Sequence, residues 1–313
     1  MSYFLGVDTS NYTTSVALYD SSRNQIIHRK KLLPVRQGSI GLKQSDAVFF
    51  HIKQLPELFS SLMEEAGHPV LEAIGVSVRP RDIKGSYMPC FLTGHTVASC
   101  LSSTLGITKY EFSHQAGHIM SALYSADKME LLTQEFLCFH VSGGTTECLH
   151  VSPLEKGVFG VEIVAESLDL KAGQAIDRVG VMLGLPFPAG RFLDDLSRKS
   201  NRTYKIHPTM KGADCCLSGI ENQCRKKLEQ GQSPEDIALY CIQSVRAAVE
   251  EMTKQALLCC GRLPVVYAGG VMSNSNIREY ITAKYNAYFA QPEFSSDNAA
   301  GIALLAAKMK AGG

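Results

Sequence analysis

The sequence predicts an α/β protein with a duplicated architecture. Three observations carry that expectation. Segments of strand character alternate with segments of helical periodicity along the chain, the pattern of an α/β class. A unit of strand, polar turn and strand occurs twice, first at Phe4–Val7 and Ser15–Leu18, then at Phe136–Val141 and Glu147–Val151. A third strand run, Pro264–Ala268, ends in the pair Gly269-Gly270.

Each element has its own signal. The first hairpin closes through Asp8-Thr9-Ser10-Asn11-Tyr12-Thr13-Thr14, a turn filled with hydroxyl and amide groups. The second closes through Ser142-Gly143-Gly144-Thr145-Thr146. Between the hairpins, Asp46–Ala66 sets Phe49, Ile52, Leu55, Phe59 and Leu62 on one helical face. Pro56 inside it predicts a break or kink. Thr93–Leu105, Pro234–Cys260, Asn276–Tyr285 and a closing segment, Gly301–Lys310, also read as helices.

The chain has 313 residues, 45% of them hydrophobic, enough for one large or two medium domains. The expected division is an N-terminal lobe over residues 1–125, with the final helix at 296–313 packing back on it, and a C-terminal lobe over 126–295. A net charge of +1 argues against the broad basic face of a dedicated nucleic-acid module and leaves room for a local patch. The most basic stretch runs from Arg191 to Lys211. No run of about 18 apolar residues is present, and MSYFLGVDTS lacks the basic start of a signal peptide. A soluble cytoplasmic protein is expected. Ten cysteines without a CxxC spacing point to reduced thiols.

Two kinds of residue carry chemistry. In Ser113-His114-Gln115-Ala116-Gly117-His118, two imidazoles four apart on a helix share a face and can hold one transition metal. Gln115 stands where the glutamate of an HExxH peptidase would be, so that mechanism is not supported. Asp297 is a candidate third ligand. The glycine turns are the second signal. Ser142 to Thr146 offers backbone N–H groups and hydroxyls suited to phosphate, and Gly270 allows close approach of a base or ribose.

Taken in order, these motifs resemble the TsaD/Gcp family of tRNA threonylcarbamoyltransferases, once called glycoproteases, within the actin-like ATPase and sugar-kinase superfamily. The His-x3-His motif is His114 and His118, and VSGGxT is Val141 to Thr146. The stretch D-x3-GEAFDK is similar to Asp169–Arg178, and LGLxYPGG to Leu183–Gly190. FSGLK is matched in part by Leu217–Ile220, GGVAxN by Gly269–Asn274, and TDNG by Ser296–Ala299. The resemblance implies two lobes with a nucleotide cleft between them. It implies one iron or zinc ion on His114, His118 and Asp297. It implies phosphate contacts from Ser142, Gly143, Gly144 and Thr145, ribose contacts from Gly173 and Asp177, and nucleotide contacts from Gly270 and Asn274. The implied reaction moves a threonylcarbamoyl group from its adenylate to N6 of a tRNA adenosine, releasing AMP. A TsaB-like paralogue and a TsaE-like ATPase are the implied partners.

The departures suggest a diverged bacterial paralogue. The family's ETSCDET turn reads DTSNYTT here and lacks its acidic pair, leaving Asp8 for any acid/base role. Arg79 and Arg81 occupy glycine-type positions of the family's GPGL loop, and Gln174 replaces the glutamate of GEAFD. His140 stands where some relatives carry tyrosine and is expected as a fourth metal ligand. Two other readings share the residues: a carbamoyltransferase with another acceptor, or a non-catalytic nucleotide-binding partner of the tRNA-modification complex.

Overall fold

The computed structural model describes residues 2–10, 12–34, 42–294 and 298–312, and every structural statement below concerns these. Asn11 and Asp297 lie outside them. The chain divides into two compact units. One comprises 1–124, 154–158 and 296–313; the other comprises 125–153 and 159–295.

The first unit is built on a five-stranded sheet. Its strands are β1 (Tyr3–Thr9), β2 (Thr13–Asp20), β3 (Gln25–Leu32), β4 (Leu71–Arg79) and β5 (Thr108–Ser113), in the order β3-β2-β1-β4-β5. The β1–β2–β3 meander is antiparallel, while β4 pairs with β1 and β5 in parallel. The parallel pairings require crossovers, and helices α1 (Gln44–Ala66) and α2 (Phe91–Leu105) supply them. Helix α3 (His114–Ser125) follows β5 directly.

Helix α1 departs from the expected face. It buries Ala47, His51, Gln54, Leu55, Leu58 and Leu62. Phe49 and Ile52 are 55% and 58% exposed. Two polar residues turn inward because Thr14 of β2 meets them there: its hydroxyl is 2.8 Å from His51 Nδ1 and donates to Gln54 Oε1 at 2.7 Å. The helix also runs without a break through Pro56. Proline removes one backbone donor, and the packing of Leu55, Leu58 and Leu62 under the sheet outweighs that loss.

The second unit repeats the plan. Strands β6 (Phe136–Val141), β7 (Thr146–Pro153) and β8 (Phe159–Glu166) form an antiparallel meander. Helices α4 (Ala172–Met182) and α5 (Gly190–Ser197) come next, followed by the small hairpin β9 (Thr209–Lys211) and β10 (Asp214–Cys216). Helices α6 (Ser218–Glu229) and α7 (Pro234–Cys260) lead to β11 (Val265–Ala268), α8 (Ser275–Thr282) and β12 (Ala287–Phe289). The sheet order β12-β11-β6-β7-β8 is that of the first sheet, with both added strands parallel. Its core joins Phe139 and Tyr267 on the sheet to Ile242, Val245 and Met252 of α7.

The chain closes in α9 (Ala299–Gly312), which covers the first sheet. A Cβ at Gly6 would fall 2.0 Å from the Ala299 carbonyl oxygen, so the helix lies directly on β1. All ten cysteines are free, and six of them are buried. Among the described residues, no helix is long and apolar enough to cross a membrane.

Candidate functional site

Alternation along β1 divides its side chains between two faces. Leu5 and Val7 join the core with α1 and α2, and Thr9 accepts from the Gly94 N–H of α2. Gly6 and Asp8 face α9. Asp8 is therefore a carboxylate at the end of a buried strand, 1% exposed. It cannot remain there unpaired. Its Oδ1 takes hydrogen bonds from Ser77 Oγ of β4, from His114 Nδ1 at 3.0 Å and from Asn298 Nδ2 at 3.0 Å. Burial pushes the carboxyl upward. The charge of His114 and the bonds from His114, Ser77 and Asn298 outweigh it, holding Asp8 well below the usual carboxylate range.

That bond fixes the state of His114. An ionised carboxylate only accepts, so the bond to Asp8 is made with Nδ1 protonated, which leaves Nε2 as the nitrogen that can give up its proton and offer a lone pair. His118, one turn along α3, brings its own Nε2 to 3.0 Å from it. Two nitrogens each about 2.1 Å from one ion, at about a right angle, would be that far apart. The pair therefore suits a shared transition ion, and Asp8 supplies the carboxylate behind one ligand that such sites use to hold the ring. Among the described residues, no group of three or more His, Cys, Asp or Glu is arranged to hold a metal. Asp297, the expected third ligand, lies outside them. Its neighbour Asn298 is buried beside His114, and its Oδ1 has no partner.

Local sequence places the pair. Ser113 accepts from the Ala116 N–H at 3.1 Å, capping α3 one residue before His114. Its hydroxyl donates to Asp82 Oδ2 at 2.6 Å, and Arg79 Nε donates to Asp82 Oδ1 at 2.8 Å. The departure to arginine at position 79 thus braces the start of the histidine helix. Two glycines bring α9 against α3. A Cβ on Gly301 would lie 1.9 Å from the Gly117 carbonyl oxygen, and one on Gly117 would lie 2.3 Å from Asn298 Oδ1. Only this close approach seats Asn298 against His114.

The second unit holds a cavity of about 560 Å³, lined by Ser142, Gly143, Gly173, Asp177, Gly270 and Asn274 among others. Its size is that of a small-ligand site. The turn after β6 meets the start of α4, where the Gly173 N–H donates to the Ser142 carbonyl oxygen at 3.1 Å. A Cβ at Gly173 would come within 2.6 Å of the Gly143 nitrogen, so glycine is required there. Asp177 accepts from the Ala189 N–H at 2.8 Å. Burial raises its pKa, and that bond opposes the rise. Asn274 caps α8 by accepting from the Ile277 N–H at 3.1 Å.

Six of the expected nucleotide residues therefore share one cavity. Gly144 and Thr145 do not line it. Their N–H groups bond to Ser142 Oγ at 3.3 and 3.1 Å, closing the turn on itself. His140, half buried, sits in the second unit's sheet opposite Glu147 of β7 and Ala268 of β11. Sequence reasoning missed Ser77 and Asn298 around Asp8, and Gly190, Arg191 and Asp194 in the cavity. Asn298 had a signal, its place beside Asp297 in the TDNG-like motif. Ser77 had none.

The TsaD family model, described as tRNA N6-adenosine threonylcarbamoyltransferase, matches residues 26–304. The enzyme of that name from Nitrosomonas eutropha is 28% identical over 319 residues, covering 97% of this chain and 91% of the relative. The probable bifunctional tRNA threonylcarbamoyladenosine biosynthesis protein of Methanocaldococcus jannaschii is 26% identical over 316 residues. The match covers 99% of this chain but 56% of that relative, so the chain spans little more than half its length. Among solved structures, component A of the Acidaminococcus fermentans (R)-2-hydroxyglutaryl-CoA dehydratase superposes with a TM-score of 0.59 at 17% identity, covering 99% of this chain and 100% of the other. The ROK family glucokinase of Streptomyces griseus gives 0.53 at 14% identity, covering 98% and 99%. At such identities the likeness speaks for the fold, that of the actin-like ATPases and sugar kinases. With the family model spanning most of its length, the chain belongs to the TsaD family of tRNA N6-adenosine threonylcarbamoyltransferases.

Proposed function

We propose that this chain transfers a threonylcarbamoyl group from threonylcarbamoyl-adenylate to N6 of an adenosine in tRNA, with release of AMP. The observation that carries the reading is the family match over residues 26–304. The two clusters supply residues of the right kind. His114 and His118 would hold one divalent ion, with Asp297 as a third ligand. Imidazole and carboxylate donors suit iron or zinc. When bound, such an ion polarises the carbamoyl carbonyl.

The chain's own residues do the positioning. Asp8 keeps the His114 ring in one tautomer. Its low proton affinity suits orienting that ring better than taking a proton from the acceptor amine. In the cavity of the second unit, Asp177 and Asn274 offer acceptors and donors to a ribose. The backbone at Gly143 and Gly270 is open to close approach by a nucleotide. Holding the adenylate still is itself a large contribution to an acyl transfer. A TsaB-like paralogue and a TsaE-like ATPase are proposed as partners from the family resemblance.

Reconstitution tests the reading. Metal-loaded protein, threonylcarbamoyl-adenylate, unmodified tRNA and the partner proteins should yield threonylcarbamoyladenosine, detected by mass spectrometry of digested tRNA. A His114→Ala, His118→Ala double variant should lose both the product and about one bound ion per chain. Wild-type protein that yields no modified nucleoside under these conditions would overturn the proposal.

A further inference from the structure

The basic segment that begins at the cavity takes a form that composition alone does not reveal. Arg191 lines the cavity at the start of α5. Beyond that helix, residues 200–208 have no regular structure. They are nonetheless fastened down. Ser200 Oγ donates to Asp236 Oδ1 of α7 at 2.6 Å, and Arg202 Nε pairs with Asp236 Oδ2 at 2.8 Å. The Tyr204 hydroxyl reaches the Asp236 carbonyl oxygen at 3.1 Å. Its ring meets Tyr240 edge-on at 5.1 Å, with Lys227 Nζ over both rings.

Anchoring of that kind fixes which side faces water. From Tyr204 onward burial alternates, with Tyr204, Ile206, Pro208 and Met210 half buried and Lys205, His207, Thr209 and Lys211 exposed. This is the period of an extended chain, with outward side chains about 6.6 Å apart. Arg198 and Arg202 are neutralised by Asp194 and Asp236. Lys199, Lys205 and Lys211 make no side-chain pairing with the described residues. The segment from Arg191 to Lys211 carries six Lys and Arg against two Asp, in a chain whose net charge is +1. At its other end, Phe187 is 74% exposed, one residue before the cavity-lining Pro188.

We propose that this surface, from Phe187 and Arg191 at the cavity through Lys199 to the outward row Lys205–Lys211, is the track on which the phosphate backbone of the tRNA lies. The inference rests on the tRNA acceptor proposed above and names the surface that meets it. Lysines spaced along an extended, pinned chain, at Lys205 and Lys211 with Lys199 before them, match a strand of phosphodiesters better than a single compact anion. Modifying the N6 group of a base requires that base to leave its stack, and an exposed aromatic beside the cavity is a platform for such a base.

Salt-dependent tRNA binding tests it. A Lys199→Gln, Lys205→Gln, Lys211→Gln variant removes three phosphate contacts. The slope of log affinity against log salt should fall by about two to three. Affinity at about 0.1 M salt should drop roughly tenfold or more, and the KM for tRNA should rise with kcat held. The matching triple Lys→Arg variant should keep wild-type affinity, and ADP binding measured by calorimetry should be the same in all three proteins. Wild-type affinity and slope in the Gln variant would overturn the track while leaving the acceptor intact. Failure of the wild-type chain to bind tRNA, with its partners present, would overturn the acceptor reading and the track with it.

Discussion

Three donors converge on a single oxygen of Asp8, drawn from β4, α3 and the residue before α9. Replacing that carboxylate by an amide keeps the size and removes the charge. Asp8→Asn should therefore leave His114 free to change tautomer and tilt. Metal affinity should fall about 10- to 100-fold, the usual cost of losing the group behind a metal-bound histidine. Competition with a chelator of known affinity measures this, and an unchanged affinity would show that Asp8 does not orient the ligand. The histidine pair was legible because a spacing of four is a local signal. The link from Asp8 to Asn298 was not, since it closes across 290 positions and depends on Gly117 and Gly301 letting two helices touch.

Elements were legible where one periodicity dominated. The long α7 spans Pro234–Cys260, with Ser233 capping it and proline at its first position, and its bounds match the sequence expectation. The face of α1 was misread because hydrophobicity chose Phe49 and Ile52, whereas a hydroxyl on β2 drew His51 and Gln54 inward. Helix α6 depends on a residue outside it. Asp169 accepts from the Leu217 N–H at 2.7 Å, the Ser218 N–H at 3.2 Å and the Ser218 hydroxyl at 2.5 Å. An anion at a helix N-terminus is favoured there. Burial raises the Asp169 pKa, but these bonds outweigh it and the net shift is downward. A carboxyl depressed in the folded state stabilises above its unfolded pKa of about 3.9, and that contribution disappears as pH falls through the folded value. Asp169→Asn turns one acceptor toward Ser218 into a donor. The variant should lose about 1 kcal/mol at pH 7, or about 2–4 °C of thermal midpoint. The gap to wild type should shrink below about pH 4. A gap independent of pH would show that the charge contributes nothing.

At the scale of the whole molecule, duplication is what the sequence displayed most clearly. Two polar turns between strand pairs announced two sheets, and both sheets have the same strand order. The cavity was only partly visible, because its lining comes from loops and helix ends far apart in the chain, and Arg191 and Asp194 belong to no glycine turn. Two adjacent glycines at its edge now separate fold from binding. Gly269 has φ of +96°, and a Cβ there would lie 2.2 Å from the Val141 carbonyl oxygen, so valine at 269 should cripple the second unit. Gly270 has neither constraint: a Cβ there meets nothing within 4 Å, and the residue lines the cavity. Gly270→Val should therefore fold with a thermal midpoint close to wild type while filling space a ligand needs. A ligand that binds only the folded state stabilises by about 2.7 kcal/mol at 100 times its dissociation constant. Saturating ADP should thus raise the wild-type midpoint by several degrees and leave Gly270→Val nearly unmoved. Differential scanning fluorimetry of both proteins, with and without ADP, makes the measurement. Equal shifts in the two would move the nucleotide away from Gly270, and no shift in wild type would remove the nucleotide from this cavity altogether.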